Sequence, residues 1–221
     1  MKRIKLQDRV LPNYTSGEEI FNSISHGAGI ILGILVCLLC CTKTMGQTLS
    51  FTGSMIYGFS MILLYTFSAI YHGLPRRTAK KVFQILDHCT IYILIAGTYT
   101  PILLADIVPG NPLIGWGLLI MQWVVSAVAI TLNAIDLHRY RYVSYAAYLI
   151  LGWAIVIIAP LALKIMHPQA LWFLLIGGIS YTAGAVTFLI GIKRRYFHCI
   201  FHIFVLIGSF LQFIGIYQYI L

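Results

Sequence analysis

Long apolar stretches recur from one end of the chain to the other, and they constrain its fold more than any other feature. A helix needs about 20 mostly apolar residues to cross a bilayer. Seven such stretches fit within the 221 residues, and only short loops separate them. Their approximate limits are 23–43, 49–72, 86–106, 112–133, 142–163, 169–192 and 197–219. The pattern predicts an all-α integral membrane protein, in which residues 1–22 precede a single seven-helix transmembrane domain over 23–221.

The composition excludes the main soluble classes of protein. Hydrophobic residues make up 60% of the chain and charged residues only 10%, whereas soluble domains carry about 25% charged residues. A soluble enzyme is therefore excluded, and no nucleic-acid partner is expected even though the formal net charge is +9. Transmembrane β-strands would appear as alternating segments of about ten residues, and the sequence lacks that pattern.

The basic residues predict how the chain is oriented in the membrane. Loops on the cytoplasmic side collect Lys and Arg. If the N-terminus is cytoplasmic, 13 of the 15 Lys and Arg residues fall on that side, and only Lys43 and Lys164 fall on the other. The sequence therefore predicts a cytoplasmic N-terminal segment and an external C-terminus. The same distribution explains the positive charge, because basic loops face anionic lipid headgroups.

A few ionisable residues lie inside or at the edge of the predicted spans, where they are costly and mark candidates for function. His72 ends the second span, Asp87 begins the third, and His198 and His202 begin the seventh. In the predicted topology these four residues share one depth near the cytoplasmic face. Hydrophobicity and loop charge alone place them there, and this agreement is the most informative feature of the sequence.

The spacing of these residues suggests a metal centre. His198 and His202 are four residues apart and share one helix face, so that together with His72 they offer three histidine ligands from two helices. Three protein ligands with a fourth position left for water is the arrangement of a catalytic zinc site. Ser68 lies one turn from His72, where it could orient a ligand, and Asp87 could hold the water or take its proton.

Simpler interpretations of the same residues are open at this point. A single His-x-x-x-His pair beside a basic loop is more often an interfacial pair than a metal site. His72 could cap the end of its helix, where histidine is favoured. His88 points about 100° away from Asp87, because 3.6 residues make one helical turn. We therefore expect Asp87 to face the bundle and His88 to pack elsewhere.

Four short segments, in order along the chain, resemble the motifs of a known family. They are EIFNSISH at 19–26, SAIYH at 68–72, DHC at 87–89 and HCIFH at 198–202. Together they are similar to the hemolysin III branch of the progestin and adipoQ receptor superfamily, which includes the adiponectin receptors and is distantly related to alkaline ceramidases. The resemblance extends over residues 16–219, and the segment at 86–101 is especially similar to the bacterial members.

The resemblance implies zinc bound by His72, His198 and His202, with Ser68 and Asp87 in the adjoining shell. It also implies a multi-pass protein of the bacterial inner membrane with a cytoplasmic N-terminus. For some relatives it implies hydrolysis of an amide in a lipid, and for the bacterial members haemolysis or a role in membrane homeostasis.

The family motif further implies that residues at the start of the first helix support the site. These possible supporting residues are Glu19, Asn22 and His26. The alternative is that Asn22 or Ser25 caps the first helix, since both side chains suit a helix N-terminus.

Two classes of function follow. The first is a zinc-dependent intramembrane hydrolase that acts on a lipid amide or ester, with Asp87 as general base, Ser68 beside the reacting carbonyl and membrane lipids as partners. The second is a non-enzymatic haemolysin or sensor of membrane state in which zinc is structural. An ion carrier is disfavoured, because such relays use acidic residues near the bilayer centre, whereas the ionisable residues here gather at one face.

Overall fold

The structure is a computed structural model that describes residues 6–221. Within that range the chain forms helices joined by short turns, without a β-strand, and it opens with a short 3-10 helix at Leu6–Asp8. Lys2, Arg3 and Lys5, which contribute to the predicted orientation, lie outside the described residues.

Six helices in the described range are long and apolar enough to cross a membrane, and a bent pair brings the number to seven if it counts as one crossing. Five of the six spans are single helices: α1 (Ser16–Lys43), α2 (Thr48–Gly73), α5 (Pro112–Asp136), α8 (Pro168–Gly191) and α9 (Phe197–Tyr219). The other span, the third along the chain, begins with α3 (Thr78–Ile102). The third span runs on from α3 through a π-helical segment, Leu103–Ile107, into α4 (Val108–Gly110). The prediction of an all-α, multi-pass membrane protein is confirmed.

The first helix begins at Ser16, seven residues before the predicted start of the first span. Thr15 caps it: its side chain accepts a hydrogen bond from the Glu18 N–H, and the Glu18 carboxylate accepts one from the Thr15 N–H at 2.8 Å. This reciprocal pair is a capping box. The alternative that Asn22 or Ser25 caps this helix is therefore wrong. Glu18 and Glu19 lower the local hydrophobicity, which is why the predicted span begins after them. In the first turn of a helix, however, acidic side chains are favourable.

Two further predicted spans have different limits in the structure. The third helix begins at Thr78 rather than near 86, so its first turn includes Lys80, which falls in the loop between the predicted second and third spans. The fifth span is broken into α6 (Arg141–Gly152) and α7 (Ala159–Ile165), which are joined by a 3-10 segment at Ala154–Ile158 and bent by 41°.

Helix α1 contacts both of the helices that carry the clustered histidines, α2 and α9. Helix α1 packs against α2 along its length and also touches α9, while α9 packs against α8. A Cβ atom on Gly29 would lie 2.4 Å from the Tyr65 ring, and one on Gly33 would lie 3.0 Å from the backbone nitrogen of Ile62. Small residues four apart therefore allow α1 and α2 to approach closely.

The basic segments gather at one end of the bundle. Arg9 donates to the carbonyl of Ile135 at 3.1 Å, and Arg76 donates to the side chain of Asn13 at 3.0 Å. These bonds join the segment before α1 to the end of α5 and to the loop before α3. Lys43 lies at the opposite end, where it donates to the Tyr217 carbonyl. The two-ended charge pattern is confirmed, and the assignment of the basic end to the cytoplasm stays a prediction.

Candidate metal centre

Three buried histidines meet where α2 ends and α9 begins. The Nε2 atom of His198 lies 3.3 Å from that of His72 and 3.1 Å from that of His202. One ligand atom from each of the three rings lies within 4.8 Å of the others, and all three residues are buried. The prediction that these residues share one depth is confirmed, and the cluster could hold a metal ion.

Two of the three separations between the nitrogens match the demands of a small divalent cation. Zinc binds imidazole nitrogen at about 2.0–2.1 Å, so two ligands at a tetrahedral angle lie about 3.3 Å apart. The two closest separations in the cluster, 3.1 and 3.3 Å, are near that value. Neutral imidazole nitrogens that face one another need a shared proton or a cation between them. The donor set therefore fits a metal.

Glu19 fixes the orientation of the His72 ring. Its Oε2 atom lies 2.8 Å from Nδ1 of His72. A carboxylate only accepts hydrogen bonds, so Nδ1 carries the proton and donates it. In the neutral ring the lone pair then lies on Nε2, the atom that faces the other two histidines. Metal-binding histidines commonly use a carboxylate in this way.

Aromatic and imidazole rings enclose the cluster. The Tyr14 ring stacks on His198 with centroids 4.8 Å apart, and the His26 ring packs on His202 with centroids 3.8 Å apart. The Asn22 amide nitrogen lies 3.5 Å from Nδ1 of His72. Burial, helped by the nearby Asp87 and Glu19 carboxylates, raises the pKa of the Tyr14 hydroxyl, which stays neutral at physiological pH.

An apolar cavity between α2, α3, α6, α8 and α9 reaches the histidines. It reaches the cluster at His198, and its lining also includes Ser68, Asp87, His88 and His26 of α1. Most of the remaining lining is aliphatic or aromatic, as at Leu94, Leu174 and Val205. The cavity therefore combines an apolar wall with a few polar groups, as ligand sites in proteins do.

A second, more polar cavity reaches His198 from the basic end of the bundle. It is lined by the segment Asp8 to Tyr14, by Arg141 and by the basic loop before α9, which holds Lys193, Arg194 and Arg195. His88 and His198 border both cavities. The histidine cluster is thus reached from an apolar side and from a polar side.

The structure places the remaining predicted site residues around this centre. Ser68 and Asp87 line the apolar cavity, and Glu19, Asn22 and His26 surround the histidine rings. The prediction for His88 is wrong, because its side chain lines the cavity together with Asp87. Its Nδ1 atom lies 2.8 Å from the Gln84 carbonyl one turn earlier, since side chains on a helix lean toward the N-terminus.

Comparison with known proteins supports a single family. A family model described as "Haemolysin-III related" matches residues 14–213. The chain is 39% identical over 206 residues to "Hemolysin-3" of Bacillus cereus, covering 92% of each protein. It belongs to the haemolysin III family. A second member, "Hemolysin-3 homolog" of Bacillus subtilis (strain 168), is 35% identical over 208 residues, which cover 93% of this chain and 96% of that one.

The haemolysin III match contains every candidate site residue, from Tyr14 to His202. The chain is also similar, more distantly, to "Monocyte to macrophage differentiation factor" of Homo sapiens. The two are 25% identical over 171 residues, which cover 75% of this chain and 69% of that protein. The resemblance that the four sequence motifs suggested is therefore confirmed. The chain is an integral membrane protein whose relatives occur in bacteria.

Two residues of the site were not identified from the sequence. Tyr14 precedes the first apolar stretch and carries no charge, so neither hydrophobicity nor charge distinguishes it. Lys80 looks like an ordinary loop residue, although it is only 2% exposed and its ammonium lies 2.9 Å from Glu19 Oε1. The sequence does not distinguish Lys80 from the exposed basic residues beside it. The difference becomes apparent only when α3 is known to begin at Thr78, before Lys80.

Proposed function

We propose that the protein is a zinc-dependent intramembrane hydrolase that cleaves an amide or ester bond in a membrane lipid. The observation that carries this proposal is the meeting of three histidine side chains, one of which, His198, lines an apolar cavity together with Asp87 and Ser68. Imidazole ligands suit zinc as well as copper, iron and nickel, and a three-histidine zinc site leaves one position for water.

Zinc held by His72, His198 and His202 would supply a Lewis acid that polarises a carbonyl and lowers the pKa of water to about 7. The reaction adds water to the carbonyl carbon and breaks the C–N or C–O bond, which yields a carboxylic acid and an amine or alcohol. Asp87 accepts the proton of the attacking water and returns it to the leaving group. Ser68 donates a hydrogen bond to the carbonyl oxygen as negative charge develops there.

The two cavities give substrate and water separate routes. The apolar cavity suits a lipid acyl chain, whereas the basic, polar cavity connects the cluster with one end of the bundle. We place that end on the cytoplasmic face of the plasma membrane, because loops rich in Lys and Arg stay on that side. The N-terminus is then inside, the C-terminus outside, and the function is one of membrane-lipid homeostasis.

The metal is tested by elemental analysis of the full chain purified in mild detergent without chelators. We expect about one zinc per protein. The His202→Ala variant should lose it, whereas the His167→Ala variant should keep it, because His167 stacks on Tyr219 at the far end of α9. A wild-type protein without metal would remove the basis for hydrolysis.

The reaction is tested by lipid profiling of membranes from cells that carry wild type or Asp87→Asn. Asp106→Asn is the matched control, because it makes the same change in the same span. We expect one lipid class to accumulate only in the Asp87 variant, while the zinc content of both variants stays at the wild-type level.

The alternative function is a non-enzymatic haemolysin or membrane-state sensor with structural zinc. The name of the Bacillus cereus relative, "Hemolysin-3", favours it. Erythrocyte lysis by washed cells at native expression separates the two functions. Lysis that persists in Asp87→Asn, with zinc retained and the lipid profile unchanged, supports the alternative.

A further inference from the structure

We propose that Lys80 is a positioning residue of the metal centre, which acts through Glu19 on the ring of His72. The inference rests on the metal centre of the proposed function and adds a residue to it. Lys80 lies at the start of α3, on a different helix from the three histidines and from Glu19.

The ammonium group of Lys80 is buried where α2 ends. It donates to the carbonyl oxygens of Tyr71 at 2.8 Å, His72 at 3.2 Å and Leu74 at 3.0 Å. The last carbonyls of a helix have no partner within the helix, and a cation there is favourable. These bonds attach Lys80 to the backbone of a metal ligand.

The same ammonium group also holds the carboxylate that orients His72. Glu19 Oε1 lies 2.9 Å from Lys80 Nζ, and Glu19 Oε2 lies 2.8 Å from His72 Nδ1. Each carboxylate oxygen therefore has one partner. A buried charge is costly unless it is paired, so Glu19 and Lys80 stabilise each other in one geometry. In that geometry Nε2 of His72 faces His198.

A simpler role would be that Lys80 only caps α2. In that case its loss would change the helix end, and with it metal binding, whether or not Glu19 keeps its charge. A positioning role predicts that the effect of Lys80 depends on the Glu19 carboxylate. A double-mutant cycle measures this dependence.

The experiment is a zinc titration of the full chain in detergent after the metal has been removed with a chelator. The cycle compares wild type, Lys80→Met, Glu19→Gln and the double variant. Lys164→Met is the control, because Lys164 is exposed in the last turn of α7. Removing a partner that orients a metal ligand weakens metal binding by about 10- to 100-fold. We expect the zinc affinity of each single variant to fall by a factor in that range. The double variant should bind zinc as weakly as the weaker-binding of the two single variants, and the control should bind zinc as wild type does.

A second readout follows the ligand field. In the cobalt-loaded protein, the visible d–d bands should shift in Lys80→Met and Glu19→Gln alike, because both changes release the His72 ring. If Lys80→Met does not fold, Lys80→Gln replaces it in the cycle, since the amide still donates to an α2 carbonyl but carries no charge.

Two results would overturn the proposal. One is a zinc affinity of the Lys80 variant within twofold of wild type. The other is a fold-loss of zinc affinity in the double variant that equals the product of the fold-losses in the two single variants. Failure of the wild-type protein itself to bind zinc is a separate outcome. That outcome removes the proposed function, whereas an unaffected Lys80 variant leaves the proposed function standing.

Discussion

The Glu18 carboxylate of α1 accepts a 2.6 Å hydrogen bond from the backbone N–H of Tyr196, the residue that precedes α9. The same carboxylate closes the capping box with Thr15. Tyr196 is in the left-handed region, with φ of 64°, and His198 follows two residues later. The first turn of α1 therefore determines where α9 begins, and with it the position of two of the three histidines.

Replacing Glu18 by alanine should lower the free energy of unfolding by about 2 kcal/mol. The change removes the capping interaction and a hydrogen bond to a charged acceptor, each of which contributes about 1–2 kcal/mol. Thermal or denaturant unfolding in detergent measures the loss. Asp8→Ala is the control, because Asp8 is exposed. Equal stability of the Glu18 and Asp8 variants would contradict this account of how α9 is held.

Glycine and valine at position 196 should differ in their effect on stability. The left-handed conformation costs an ordinary residue about 1 kcal/mol, whereas glycine adopts it freely. Tyr196→Gly should therefore leave stability unchanged or raise it by up to about 1 kcal/mol. Tyr196→Val should lower it, because a β-branched residue tolerates positive φ least. The same unfolding measurement orders the three proteins. A valine variant at least as stable as the glycine variant is the contrary result.

The histidine cluster was predictable because two independent signals agree in the sequence. Apolar length fixes where α2 and α9 end or begin, and loop charge assigns those ends to the same face. His72, His198 and His202 follow directly, since the four-residue spacing places the last two on one helix face. Their convergence on neighbouring nitrogens confirms that argument.

The supporting residues were harder to identify for a physical reason. Hydrophobicity treats every charge as facing water, so Glu18 and Lys80 fall outside the predicted spans. In the structure both are buried, at 2% exposure each. Glu18 bonds to Thr15 and to the backbone N–H of Tyr196, and Lys80 bonds to Glu19 and to carbonyls at the end of α2. Such pairing depends on which helices are neighbours. The break between α6 and α7 has a local cause that apolar length alone misses, because Gly152 ends α6 and Pro160 lies in the first turn of α7, and both residue types interrupt helices.

Removal of the metal should destabilise the folded protein. A ligand that binds only the folded state stabilises it by about 4 kcal/mol at a free concentration 1,000 times its Kd. Dialysis against a chelator should therefore lower the midpoint of thermal unfolding, and added zinc should restore it. The His198→Ala variant should show no such dependence on zinc. A wild-type midpoint that ignores both chelator and zinc would contradict a bound structural or catalytic ion.

The contact between α1 and α2 should tolerate no side chain at Gly58. A Cβ there would lie 2.3 Å from Cβ and 2.5 Å from Cα of Cys37, so the backbone itself must move. Gly58→Ala should cost about 1–3 kcal/mol of stability, the usual penalty for overpacking. Gly27→Ala is the matched control, because nothing lies within 4 Å of the added carbon. Alanine favours the helix more than glycine does, so the control should be neutral or stabilising in the same assay.

In the proposed hydrolase, the apolar cavity should set the length of the acyl chain that is accepted. Ala185 lines the cavity, and Ala185→Phe fills part of it. Differences of one or two methylene groups in an apolar pocket change kcat/KM by about tenfold or more. We expect the variant to lose activity on long-chain substrates by about that factor relative to short-chain ones. Ala127→Phe is the control, because Ala127 is exposed on α5. An equal loss for all chain lengths, with zinc content unchanged, would show that the acyl chain binds elsewhere.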